Sequence, residues 1–128
     1  MAITHVWSSS VKPSGLASFP ADLPITISGP EGIDIEAVLL GGATATVFLG
    51  SVDNTKIVSF AAHSSASSVF FTTPSQSINL GTAKVLGWHN QMPATSTNPI
   101  TTTISKVVAD NSANTVSTTF RMAILLSL

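Results

Sequence analysis

The chain has no cysteine and very little charge. Without cysteine there is neither a disulfide framework nor a thiolate metal site, which argues against a small stapled secreted scaffold. Asp, Glu, Lys and Arg make up 9% of the 128 residues, against about 25% in an ordinary soluble domain. The five cations, Lys12, Lys56, Lys84, Lys106 and Arg121, are scattered. A nucleic-acid partner is therefore not expected, because phosphates need a basic patch. No run reaches about 18 apolar residues, so no membrane partner is expected either. The opening MAITHVWSSSVKPSG lacks a basic region followed by an apolar run and is not read as a signal peptide. There is no Asn-x-Ser/Thr sequon, no glycine-rich phosphate loop and no G-x-S-x-G elbow. No window of about 11 residues carries a helical period.

What fills the space is hydroxyl: 19 Ser and 16 Thr among strongly alternating apolar residues. Such a surface repels other proteins weakly and lacks the charge that normally opposes association. The length is that of one domain, large enough to bury about two-thirds of its unfolded surface.

The clearest element is the last one, residues 115–128 (TVSTTFRMAILLSL). Val116, Thr118, Phe120, Met122, Ile124, Leu126 and Leu128 form one face and are nearly all apolar; the other face is mostly polar. That is a period of two, hence a half-buried strand. Fourteen residues exceed the usual strand of about 5–6, so residues 116–122 are expected to be core. The apolar end, Ile124, Leu125, Leu126 and Leu128, is expected to leave the body and meet another subunit.

Upstream, residues 1–22 are punctuated by Pro13, Gly15 and Pro20 and suggest an arm, with Ile3, His5 and Trp7 alternating in a short strand. It either folds onto the body or anchors on a neighbour through Trp7 and Phe19. A domain over 23–128 follows. Residues 23–28 (LPITIS) form a strand. Residues 33–40 and 43–50 flank Gly41-Gly42, a hairpin signal that would set Ile35 opposite Phe48. Its tip carries Val38, Leu40 and Val47, a candidate contact surface or a face covered by a second sheet. Further strands are expected over 55–61, 69–72, 77–80, 82–88 and 100–109, with Gly87 as a bulge. Eight to ten short strands with regular turns predict an all-β antiparallel sandwich, jelly-roll-like in its strand number.

Chemistry is sparse. His5, His63 and His89 show no metal-ligand spacing, and no cofactor or metal is expected. Asp34 and Glu36 share a strand face. Paired carboxylates can do acid–base work or hold calcium, but on a strand they more often form a solvated face that blunts an edge. Trp88, His89, Asn90 and Gln91 are the candidate glycan contacts, an aromatic ring beside amides; otherwise Trp88 closes a sandwich end. No catalytic residue is indicated, and a non-enzyme is expected.

The chain as a whole resembles small virion proteins of tailed bacteriophages, of the capsid decoration or cement kind. The features are the punctuated arm, the Ser/Thr/Ala-rich strands, the low charge, the lack of cysteine and the apolar end ILLSL. The resemblance implies a homotrimer on the capsid surface that clamps a major capsid protein, assembled in the host cytoplasm. It assigns no individual residue a role. The alternatives are a lectin-like carbohydrate-binding sandwich and a phage spike or tail-adaptor protein.

Overall fold

The computed structural model describes residues 3–7, 25–74 and 76–127. Phe19, Leu128 and most of the expected arm lie outside the described residues. The strands are β1 (Ile3–Trp7), β2 (Ile25–Gly29), β3 (Glu31–Leu39), β4 (Thr44–Val52), β5 (Ile57–Ser64), β6 (Phe70–Thr73), β7 (Gln76–Asn79), β8 (Val85–His89), β9 (Ile104–Asp110) and β10 (Thr118–Leu126). All pairing is antiparallel. The fold is the expected all-β sandwich: one sheet has the order β3-β10-β5-β8, the other β4-β9-β6-β7, and β1-β2 form a separate ribbon.

Between β3 and β10 only β6 and β7 are joined within one sheet; every other connection crosses from one sheet to the other. The Gly41-Gly42 turn is one of these crossings, which corrects the hairpin expectation. Leu40 and Ala43 do close a turn (Ala43 N donates to the Leu40 carbonyl, 3.0 Å). But β3 then pairs with β10 and β4 with β9. The reason is local. Gly41 packs so tightly on the Thr115 backbone that a Cβ would collide with it, and the buried Asn111 holds the corner open. The Asn111 Nδ2 donates to the carbonyls of Leu40 (3.0 Å) and Val116 (2.9 Å), and its backbone N–H to Ala43. A glycine pair marks a tight turn; it does not decide whether the two strands pair afterwards.

The inter-sheet core follows strand alternation, interrupted in β9 between Ile104 and Val107 where the pairing with β4 shifts register. Phe60 and Ala62 of β5, Phe71 of β6, Ile104, Val107 and Ala109 of β9, and Phe120, Met122 and Ile124 of β10 are all buried there. Phe71 and Phe120 meet across it at 6.2 Å between ring centroids. From β4, Ala45, Val47 and Leu49 pack against this core. Val47 is therefore not part of a contact surface: the second sheet covers that face.

The end of β10 requires a larger correction. Ile124, Leu125 and Leu126 do not leave the body; they are buried and paired with β3 on one side and β5 on the other. The strand begins at Thr118, so the exposed Val116 is not core. Nine residues rather than fourteen remove the length argument. A register shift between Leu125 and Leu126 then bends the strand over Ile57.

Gly87 is no bulge. It sits in continuous register opposite Ala61.

Candidate functional site

The outer face of the sheet β3-β10-β5-β8 is ordered in rows running across its strands. Cross-strand register defines a first row of Gly32, Leu125, Ser59 and His89. A second comprises Asp34, Ala123, Ala61 and Gly87; a third comprises Glu36, Arg121, His63 and Val85. Rows on one face lie two residues apart, about 6.8 Å along a strand.

The ribbon covers the first row and the Gly87 end of the second. Ile3 packs over Gly32 of β3, His5 reaches Ser59 of β5, and the Trp7 ring lies over Gly87 and beside His89 of β8. Thus β1 runs across the sheet, nearly perpendicular to its strands. Between the ribbon and the sheet, Leu125 of β10 and Ile27 of β2 are buried outside the inter-sheet core. The N-terminal strand is folded onto the body, and Trp7 is half-buried in it.

Ser59 is the clasp. Its hydroxyl is fully buried, accepts from Trp7 Nε1 at 2.8 Å and meets His5 Nδ1 at 2.8 Å. Indole N–H only donates, so the arrangement that satisfies all three groups has Ser59 donating to an unprotonated Nδ1. Desolvation lowers the His5 pKa below its ordinary value, partly opposed by the Asp34 carboxylate. A Ser–His contact can belong to a nucleophile, but a hydroxyl sealed beneath a tryptophan is out of a substrate's reach. Its work is to hold β1 down.

Beside β1 lies a trough. Thr4, His5, Val6, Trp7, Ala61 and Ala123 line a hollow of about 330 Å³. It meets a wider depression of about 580 Å³ that shares Ala61 and Ala123 and is bounded by Asp34, Glu36, His63 and Arg121. Glu36 and Arg121 form an exposed ion pair at 3.2 Å. The two carboxylates thus belong to a solvated charged face. No group of three or more His, Cys, Asp or Glu residues able to hold a metal ion occurs among the described residues.

The four candidate glycan contacts do not converge. Trp88 turns inward opposite Phe60, and its Nε1 donates to the Ser96 carbonyl at 2.9 Å. His89 points to the other side of β8, buried against Trp7, and its Nδ1 has no hydrogen-bond partner among the described residues. Asn90 and Gln91 are exposed in the turn beyond. Alternation along the strand separates the ring from its neighbour in sequence. Trp88 instead lines a hollow of about 380 Å³ at one end of the sandwich with Asn54, Thr97 and Asn98.

Of the remaining expected contact residues, Val38 and Leu40 are 73% and 71% exposed. They share one end of the sandwich with Val116, 59% exposed, because Asn111 binds the carbonyls of both Leu40 and Val116. Phe48, which the sequence pattern assigned to a hairpin partner, is 78% exposed on the outer face of the second sheet. Neither Ser59 nor the small row Ala61–Ala123 stood out in the sequence. Only the register brings Ser59 beneath β1 and the small row beside it.

Comparisons with protein-family models, curated proteins and solved structures give no match.

Proposed function

We propose that the protein is a non-enzymatic virion structural protein that decorates or cements a bacteriophage capsid through symmetric protein contacts. On this reading it is a homotrimer on the capsid surface, bound to the major capsid protein and assembled in the host cytoplasm. The observation that carries the proposal is the apolar rim of Val38, Leu40 and Val116. Asn111 fixes its backbone, and the chain carries few charges to oppose packing. A rigid apolar rim repeated by symmetry suits a clamp, because linked copies raise effective concentration without strong individual contacts. The strand order supports reading the sandwich as a jelly roll, an architecture found among viral capsid and lectin domains. A spike or tail-adaptor protein would use the same surfaces.

The test is the mass of the purified chain in solution and its co-sedimentation with capsids lacking decoration. The proposal expects an oligomer or a capsid-bound form that Leu40→Glu weakens. A monomer that leaves capsids bare removes it.

A second reading, a lectin-like sandwich, is favoured by the Trp88 ring at the hollow with Asn54, Thr97 and Asn98, since sugar sites combine an aromatic face with a few polar groups. Glycan-array binding lost in Trp88→Ala would support it; no bound glycan would remove it.

A further inference from the structure

We infer that the free edge of β1 is a strand-addition site, which takes an extended peptide segment with a lysine or arginine at the end lying over β3. Among the described residues β1 pairs only with β2. Its other edge faces the trough, because Thr4, His5, Val6 and Trp7 all line the same hollow. Alternate side chains of a strand point to opposite sides, so four consecutive residues line one hollow only through the backbone edge. Among the described residues that edge presents N–H and C=O groups without a strand partner, the template used in β-augmentation.

The rows give the trough its width. A strand paired to β1 would lie about 4.8 Å to its side. The ribbon fixes the side: β2 lies toward Leu126, where Gly29 packs on the Leu126 backbone and the Leu125 side chain. The added strand therefore falls over the second row, of which Ala123 and Ala61 form the floor. Short side chains let a crossing backbone settle where Leu, Val or Phe would hold it off. The third row, Glu36, Arg121 and His63, bounds the far side.

The charge follows from the same rows. Glu36 is paired with Arg121. Asp34, at the β3 end of the floor, lines the depression, and no ion pair to it occurs among the described residues. A cationic residue at that end of the added segment completes it. This inference does not depend on the virion reading.

The probe is a capped peptide, Lys-Thr-Ala-Thr-Ala-Thr, titrated into the full chain and followed by amide NMR. Controls are the same peptide N-methylated at alternate amides, and the variants Ala123→Leu and Asp34→Asn. Saturable binding is expected with a dissociation constant of about 1 mM or tighter, with new protection of the outward β1 amides. N-methylation should abolish it. Ala123→Leu should weaken it at least tenfold while the amide spectrum of the body stays native. Asp34→Asn should weaken it by up to about fivefold, the range of one exposed charge pair, and should spare a peptide with alanine in place of lysine. Because Asp34 is exposed, that variant tests the site even if Ala123→Leu disturbs folding. The absence of saturation up to about 5 mM, or binding indifferent to N-methylation, overturns the inference.

Discussion

His5 Nδ1 and the Ser59 hydroxyl, 54 residues apart in the chain, lie 2.8 Å apart and with Trp7 clasp the N-terminal strand to the sandwich. The clasp uses neutral His5, whose pKa is held below 6.5 by desolvation against the opposing pull of Asp34. His89 of β8 and Ser59 of β5 are the other polar groups around the node. When β1 lifts, His5 regains its ordinary affinity for a proton, so the undocked form binds more protons. Docking is therefore fully favoured above about pH 6.5 and weakens as pH falls through and below it. In a Trp88→Phe background, Trp7 fluorescence should shift to the red on acidification from about pH 8 to about pH 5. His5→Gln should flatten that change; an unaltered pH profile in that variant would assign it to other groups.

Gly87 gives a second handle on the same strand. Its Cα faces the Trp7 ring so closely that an added Cβ would overlap it. Overpacking of this kind costs about 1–3 kcal/mol. In Gly87→Val the cost falls on docking of β1 rather than on the inter-sheet core, because the collision is on the outer face. Amide exchange should rise in β1 and β2 while β5 and β10 keep their protection. Equal loss of protection throughout would show that the ribbon and the sandwich unfold as one unit.

Asn111 carries the third prediction. Its buried side chain donates to Leu40 and Val116 and accepts from Asn114 Nδ2 at 2.8 Å. Asn111→Ala leaves two carbonyls without their donor. Each unsatisfied buried group costs about 1–3 kcal/mol, so a total of about 3 kcal/mol is expected, a fall in Tm of about 10 °C for a domain of this size. Asn111→Asp should be at least as damaging, since a carboxylate cannot donate to either carbonyl. Thermal unfolding followed by circular dichroism measures both; a loss below about 1 kcal/mol would mean that water replaces the amide at no cost.

The sandwich was legible because period-two alternation survives in nearly every strand, and Phe60, Phe120 and Met122 fall on the faces that alternation assigns them. Pairing was not legible. Gly41-Gly42 predicts a turn correctly, yet whether β3 and β4 then pair is decided by Asn111, about 70 residues downstream, through bonds no local pattern encodes. The same holds for the outer face. Ile3, His5 and Trp7 alternate visibly, but their partners Gly32, Ser59 and Gly87 are polar or small residues in separate strands. The apolar end of β10 follows the same logic: strand length and hydrophobicity point it outward, and they do not say that β1 and β2 lie over Leu125 and bury its outer side as well.

That burial separates two apolar residues which composition alone treats alike. Ile124 is fully buried between the sheets and Phe48 is 78% exposed. Ile124→Ala removes buried methylenes and leaves a cavity, which costs about 2–5 kcal/mol. Deleting residues 125–128 should therefore unfold the monomer rather than merely loosen an assembly, because Leu125 and Leu126 close the core and its outer layer. Phe48→Thr places a β-branched residue, favoured in strands, at an exposed position and touches no core, so its effect should stay within about 0.5 kcal/mol. Chemical denaturation of the three variants at equal concentration distinguishes them. A folded chain without residues 125–128 would return the apolar terminus to the role of a contact surface, and a large loss in Phe48→Thr would show that something covers the outer face of β4.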